Sequence, residues 1–250
     1  MRLFFYPFAT LFIFAKTILM KRILTTLCFF MPLLLFAQET QALKSVDSLY
    51  REDQFYFGFT YNLITSAPNN VSNRGFSGGL QFGFIRDMPI NKKRNLAFAL
   101  GFGLSFNRYG NTLGISNSNN SNESTFSVLL NETNFDSNRF STSAINIPIE
   151  FRWRSSSPSE YKFWRVYTGV TFSYNFWNKV TFAQNGDRFI YKNIPEFNKF
   201  QSGITLLFGY NTINIYAYYS ITSFFNENAI INNEEVKFKP LKLGIKFYFL

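Results

Sequence analysis

The sequence predicts an all-β fold, specifically an eight-stranded antiparallel up-and-down transmembrane β-barrel. Eight segments alternate between apolar residues and small or polar residues, with the period of two that is typical of β-strands. The connections between these segments alternate between short and long. The chain also contains 34 Phe in 250 residues. A soluble domain of this size does not need so many for its core, which favours an apolar solvent around the strands.

The alternation gives each predicted strand one large apolar face and one face of small side chains. Residues 95–107 show it best, because Leu and Phe alternate there with Ala, Gly, Ser and Asn. Small side chains suit the narrow interior of an eight-stranded barrel, and strands of about ten residues or more can cross a bilayer when tilted. The predicted strands are residues 54–64, 76–84, 95–107, 144–154, 163–176, 200–209, 213–222 and 240–250.

The connections predict which strand ends face each side of the membrane. "RDMPINKK", "SSSPSEYK" and "YNT" are short, and the other four connections are longer. This layout is typical of outer-membrane barrels, which have short periplasmic turns and long extracellular loops. The longest connection, residues 108–143, contains the polar run "SNSNNSNEST". We interpret it either as a loop that binds a partner or as a solvated spacer that extends the third and fourth strands.

The N-terminal residues are predicted to be removed on export. Residues 1–37 are interpreted as an N-terminal extension plus a signal peptide, with the signal itself in residues 20–37, where two basic residues precede an apolar run. Translation from Met20 is favoured over translation from Met1. Residues 38–53 form a polar periplasmic lead-in, and residues 54–250 form the barrel. The expected location is therefore the cell outer membrane.

The composition excludes several kinds of chemistry. The chain contains no histidine, which removes Ser-His-Asp and Cys-His catalysis and ordinary histidine-ligated zinc. The only cysteine, Cys28, lies in the predicted signal peptide. We therefore predict no enzyme activity and no catalytic, cofactor-binding or metal-binding residue. The net positive charge does not indicate a nucleic-acid partner, since the basic run at residues 92–94 reads more simply as a solvated periplasmic turn.

The three tryptophans are predicted to mark the two membrane interfaces. Trp153 and Trp164 flank the same short turn and point to the apolar face of their strands, whereas Trp177 lies at the other end of the fifth strand. Tryptophan is enriched at both membrane–water interfaces of barrels. We expect outer-membrane lipid to contact these side chains.

The chain ends on an apolar strand, "LKLGIKFYFL". A closed barrel needs its last strand to pair with its first, because lipid offers no partner to an unpaired strand edge. This strand resembles the C-terminal assembly signal of outer-membrane barrels, in which a polar residue and a glycine precede aromatic residues. The resemblance implies recognition by the barrel-assembly machinery through Lys242, Gly244, Phe247 and Phe249.

The segments "FSGGLQFGFIRDMPIN" and "INIPIEFRW", together with the C-terminal strand, resemble the outer-membrane β-barrel family of Bacteroidota that is called PorT-like or porin-like. The resemblance covers residues 54–250. It implies an envelope protein whose further partners are envelope or secretion-complex proteins. The role of PorT itself in secretion and gliding is not carried over, since most relatives with this barrel have no assigned role.

Six charged residues are predicted to face the lumen. The alternatives are a salt-bridge network that fills a closed barrel and a basic lumen that passes or binds small anions; the first is favoured because eight strands leave no aqueous channel. In the network, Glu150 is expected to lie near Arg165. The predicted lumen residues are Glu150, Arg152, Arg154, Arg165, Lys242 and Lys246.

The sequence therefore predicts a non-enzymatic outer-membrane protein that displays extracellular loops in a structural or interaction role. Two alternatives remain open from the residues alone. One is a narrow porin or transporter for small solutes. The other is a soluble periplasmic β-sandwich that binds a ligand, since a period of two also fits that fold.

Overall fold

A computed structural model describes residues 53–117, 124–129, 135–155, 163–211 and 213–249. The predicted extension, signal peptide and residues 38–52 of the lead-in lie outside the described residues. Within the described part, no helix is long and apolar enough to cross a membrane. The strands are β1 (Gln54–Thr65), β2 (Gly78–Pro89), β3 (Leu96–Gly110), β4 (Leu113–Asn117), β5 (Ser124–Val128), β6 (Ser137–Arg154), β7 (Trp164–Gln184), β8 (Asp187–Lys192), β9 (Phe200–Tyr210), β10 (Ile213–Ser220), β11 (Ile230–Ile231), β12 (Glu234–Glu235) and β13 (Lys239–Phe249).

Eight of these strands close into an antiparallel barrel in the order β1, β2, β3, β6, β7, β9, β10, β13. Strand β13 pairs with β1 from Phe55↔Phe249 to Thr65↔Lys239, which completes the circle. The predicted fold class is confirmed, including the pairing of the last strand with the first. The alternative of a soluble β-sandwich is wrong, because the eight long strands form one closed sheet rather than two sheets packed face to face.

The observed strands differ from the predicted ones mainly at the end that carries the long connections. Strand β6 begins at Ser137 rather than residue 144, and β7 continues to Gln184 rather than ending at residue 176. Their register shifts between Ser143 and Ala144, and pairing then resumes above this bulge. The bulge breaks the period of two in β7, which is why the sequence pattern loses this half of the strand.

The two faces of the barrel wall have the predicted composition. On β3, Phe98, Leu100 and Phe102 are about half exposed on the outside, whereas Ala97 and Ala99 are buried inside. Aromatic and aliphatic side chains cover the outer wall of every barrel strand. This surface is stable in lipid, which removes the penalty that exposed apolar side chains would have in water.

The long connections form a folded cap with its own apolar core. Strands β4 and β5 pair as one hairpin and β11 and β12 as another. The predicted partner-binding loop or spacer thus contributes buried apolar residues, among them Leu113, although residues 118–123 and 130–134 lie outside the described residues. The core of the cap consists of Ile64, Tyr109, Leu113, Ile115, Phe126, Phe140, Val180, Ile194, Phe197, Phe224, Phe225, Ala229, Ile231, Val236 and Phe238.

Candidate functional site

The interior of the barrel is the candidate functional site, and a buried charge cluster lies at the end with short turns. Arg152 Nη1 lies 3.3 Å from Asp87 Oδ1, and Arg152 Nε lies 3.0 Å from Glu150 Oε2. Arg154 Nη1 donates to the other carboxylate oxygen of Asp87. Gln54 Oε1 accepts a further bond from Arg152 Nη1 at 3.3 Å. The two carboxylates thus compensate guanidinium groups that have no access to bulk water.

The sequence positions this cluster through strand alternation. Glu150, Arg152 and Arg154 occupy alternate positions on β6, so all three point into the lumen. On the neighbouring strand, Ala97 is the partner of Arg152 and Ala99 the partner of Glu150. A small side chain beside each large charged one leaves room for the charged groups within the narrow interior.

A layer of tyrosines and lysines lies above the charge cluster. Lys246 Nζ lies 4.6 Å from the ring centroid of Tyr56 and 4.1 Å from that of Tyr216. Lys242 Nζ lies 4.9 Å from the ring centroid of Tyr218. These contacts are cation–π interactions, which favour a cation that is removed from water. The remaining cavity in this layer is about 20 Å³, room for water but not for a continuous aqueous channel.

Aromatic rings of the cap close the mouth above these layers. Phe225 packs against Phe197 at a ring-centroid distance of 4.7 Å and against Phe238 at 5.5 Å. Phe140 from β6 contacts both Phe225 and Phe224. The lumen is therefore filled at three heights, by charges, by tyrosines with lysines, and by phenylalanines.

The structure places the six predicted lumen residues inside the barrel and adds one that sequence reasoning missed. Arg165 lies opposite Arg154 in the β6–β7 pairing, with its Cζ 4.1 Å from the ring centroid of Phe163. Glu150 pairs with Arg152 of its own strand. The missed residue is Asp87, which the sequence analysis assigned to the short turn "RDMPINKK". The alternation of β2 continues to Pro89 and could have identified Asp87 as an inward position.

The predicted interfacial and C-terminal residues lie on the barrel wall. Trp153 and Trp164 are exposed on the outer face of neighbouring strands, and Trp177 lines an outer groove at the opposite end. On β13, Phe247 and Phe249 point outward. Lys242 and Gly244 occupy inward positions on the same strand.

The buried acidic residues of the described part of the chain are few and paired. Within them, no group of three or more His, Cys, Asp and Glu side chains comes together to hold a metal ion. The buried carboxylates of Asp87 and Glu150 are both engaged by guanidinium groups. What the arrangement does chemically is to seal and stabilise the interior of the barrel.

One family of known proteins matches most of the chain. Residues 36–226 match the family described as "Outer membrane protein beta-barrel domain". Two similar solved structures are those of Ail, the attachment invasion locus protein of Yersinia pestis, one of them in complex with the heparin analogue sucrose octasulfate. They are 13% and 14% identical, cover 80% of this chain and 100% of the Ail chain, and have TM-scores of 0.32 and 0.31.

At these scores the likeness to Ail does not bear on function. No curated protein sequence matches the chain. The match to the family stops before β13, yet β13 closes the barrel against β1. Because the match covers more than half of the chain and the structure is a closed eight-stranded barrel, the chain belongs to the outer membrane protein β-barrel domain family.

Proposed function

We propose that this protein is a non-enzymatic envelope protein whose barrel anchors a folded extracellular cap for interaction with a partner. The observation that carries the proposal is the apolar core of the cap, which joins the long connections above the barrel mouth. A connection that served only as a solvated spacer would not need Phe126, Phe197 and Phe225 to pack together. An ordered surface costs less conformational entropy when it binds than a disordered one does.

A porin or transport role receives little support from the interior. Eight strands enclose a space that side chains can fill, and here Arg152, Tyr56 and Phe225 fill it at successive heights. Full-length protein in planar bilayers should therefore show no conductance steps. Regular single-channel steps from the unmodified protein would contradict the proposal and favour the porin alternative.

The display of the cap can be tested with single cysteines in intact cells. Because Cys28 lies in the predicted signal peptide, Asn228→Cys at an exposed position of the cap should be labelled by a maleimide that cannot cross the membrane. Lys92→Cys, equally exposed in a short turn, should be labelled only after the outer membrane is disrupted. Labelling of Lys92→Cys alone in intact cells would mean that the barrel has the opposite orientation, with the cap in the periplasm. This result would contradict the proposal.

We also propose that the protein is exported through the signal peptide in residues 20–37 and assembled through β13. Support for the second point is the outward placement of Phe247 and Phe249 at the strand that closes the barrel. The PorT-like assignment within Bacteroidota rests on the quoted segments, and envelope or secretion-complex proteins are the partners that it suggests. Nucleic acid is not among the proposed partners.

A further inference from the structure

A row of basic residues crosses the outer wall at the end with the long connections. The register places Arg108 of β3 opposite Ser141 of β6, Ser141 opposite Lys179 of β7, and Lys179 opposite Lys192 of β8. All four positions lie on the outer face, because residues directly opposite each other in neighbouring strands point to the same face of the sheet. Adjacent strands are about 4.8 Å apart, so the Cα atoms of Arg108 and Lys179 are about 10 Å apart, with Ser141 between them.

Further cations surround this row. Arg139 is two positions along β6 from Ser141, and Arg188 belongs to the β7–β8 hairpin. Arg139 lies above the lipid-facing band, and its pKa is lowered by partial burial and by the like charges of Arg108 and Arg188. The nearby acids are Asp136, whose Oδ2 accepts from the amide of Gly186, and Asp187 at the start of β8. Cations therefore dominate this part of the wall.

An apolar groove of about 580 Å³ lies directly below the row. Its walls include Phe59, Phe76, Leu80, Phe106 and Trp177. Arg108 and Lys179 stand at its upper rim. The Nε atom of Arg108 is buried, with no hydrogen-bond partner among the described residues.

Small residues make the groove possible. The outward positions at its floor are Gly78, Ser141 and Ser143, where larger side chains would fill the space. A methyl group on Gly78 would lie 2.9 Å from Cζ of Phe76, so the Phe76 ring covers this glycine at the edge of the groove. The same wall thus combines two features. An apolar depression lies on the membrane side, and a positively charged rim lies on the extracellular side.

We propose that this groove binds a phosphate-bearing acyl lipid of the outer leaflet, of the lipid A type. An acyl chain occupies the apolar depression, and a headgroup phosphate lies above Ser141 between Arg108 and Lys179. Arginine and lysine both form charge-assisted hydrogen bonds with phosphate oxygens. The interaction goes beyond the proposed display of the cap, because it involves the lipid-facing wall and no partner protein.

The test measures binding of diphosphoryl lipid A to the full-length protein purified from outer membranes in zwitterionic detergent at low salt. The double variant Arg108→Gln with Lys179→Gln should lower the affinity about 25-fold, since one basic residue near an anionic membrane surface contributes about fivefold. The matched control, Lys92→Gln with Lys93→Gln, removes two exposed cations from a short turn. It should change the affinity less than about twofold.

Two further measurements separate the lipid from other sources of phosphate. Ser141→Leu should weaken lipid A binding without changing the charge, because it fills the groove. Glucosamine 1-phosphate, which has the phosphate but no acyl chain, should bind far more weakly than lipid A. Equal binding of this soluble phosphate would overturn the lipid assignment, as would equal binding of phosphate-free lipid A.

Each variant is first checked for folding by its change of mobility on heating in SDS. If the double variant does not fold, Lys192→Gln tests the same row at an exposed position. Equal effects of the row variants and the short-turn control would also overturn the proposal. The outcome is independent of the conductance and cysteine-labelling experiments, so failure here leaves the proposed display of the cap in place.

Discussion

Asp87 lies near the end of β2, where its two carboxylate oxygens accept from two different guanidinium groups. Neither Arg152 nor Arg154 has access to water, so their charges depend on carboxylates within the barrel. At the scale of single residues, the interior is thus held by a few contacts that are costly to break. A second close contact is at Gly103, where the Tyr56 side chain lies over the inner wall and leaves no space for a larger side chain.

Asp87→Asn keeps the shape of the side chain and removes its charge. We expect it to lower the free energy of unfolding by about 3–5 kcal/mol, because it leaves buried guanidinium groups without their shared carboxylate. Urea unfolding in lipid vesicles measures the loss. Asp187→Asn, at an exposed position of β8, is the control and should change the stability by less than about 0.5 kcal/mol. Equal effects of the two variants would contradict the structural role of Asp87.

Gly103→Ala should be destabilising by about 1–3 kcal/mol through overpacking. The added methyl group would overlap the hydroxyl of Tyr56 and lie 2.7 Å from the carbonyl oxygen of Phe82. Adding Tyr56→Phe removes one of the overlapping atoms, so the double variant should lose less than the sum of the two single variants. Strict additivity in a double-mutant cycle would show that the ring does not pass over this glycine.

At the scale of elements, β6 and β7 are the longest strands and continue beyond the lipid-facing band into the cap. Their bulge at Ser143/Ala144 marks the change from one region to the other. Below it, side chains fill the lumen, and above it, Phe140 and Val180 join the apolar core of the cap. The cap is therefore built on the barrel strands rather than attached to them by flexible linkers.

Phe225→Ala should open the cap while leaving the barrel intact. The Phe225 ring contacts Phe126, Phe140 and Phe197, and loss of a buried phenylalanine costs about 3–5 kcal/mol. Limited proteolysis of outer-membrane vesicles should cleave the variant within the cap, while the mobility shift on heating in SDS persists. Phe200→Ala, at a ring that is 76% exposed, should show neither change. Loss of the heat-dependent shift would mean that cap and barrel unfold together.

At the scale of the whole molecule, the solvent reverses the usual meaning of exposure. Side chains on the outer wall such as Ile215, which is 66% exposed, belong to the stable surface because lipid surrounds them. The interior in turn holds the charges, with small residues where strands come close. The barrel is thus apolar outside and filled inside by charges, tyrosines and apolar residues such as Ile85 and Leu207, and a second apolar core lies in the cap.

Ile215→Arg tests this reversal. A cation on the lipid face should lower the free energy of unfolding in vesicles, by up to about 2–4 kcal/mol at depth in the bilayer. Ile230→Arg, at a side chain in the cap that is 52% exposed, faces water and should be close to neutral. Urea titration of both variants in the same vesicles gives the comparison. A small effect of Ile215→Arg would indicate that this wall does not face lipid.

The sequence by itself determined the fold class, the number of barrel strands and the face of each strand that turns outward. These features are local, because a period of two and a run of turn residues can be recognised in a few neighbouring positions. Trp153 and Trp164 could be assigned to the outer face for the same reason. The lumen positions of Arg152 and Lys246 followed from the same alternation.

Only the tertiary structure decided which residues meet across the barrel and above it. Asp87 of β2 contacts Arg152 and Arg154 of β6, although β3 lies between these two strands. A pattern within a few neighbouring residues cannot show such a contact. The cap core unites residues from Ile64 to Phe238, and the basic row depends on the registers of four strands. Such contacts arise from closure of the sheet, so their physical cause is the pairing of strands distant in sequence.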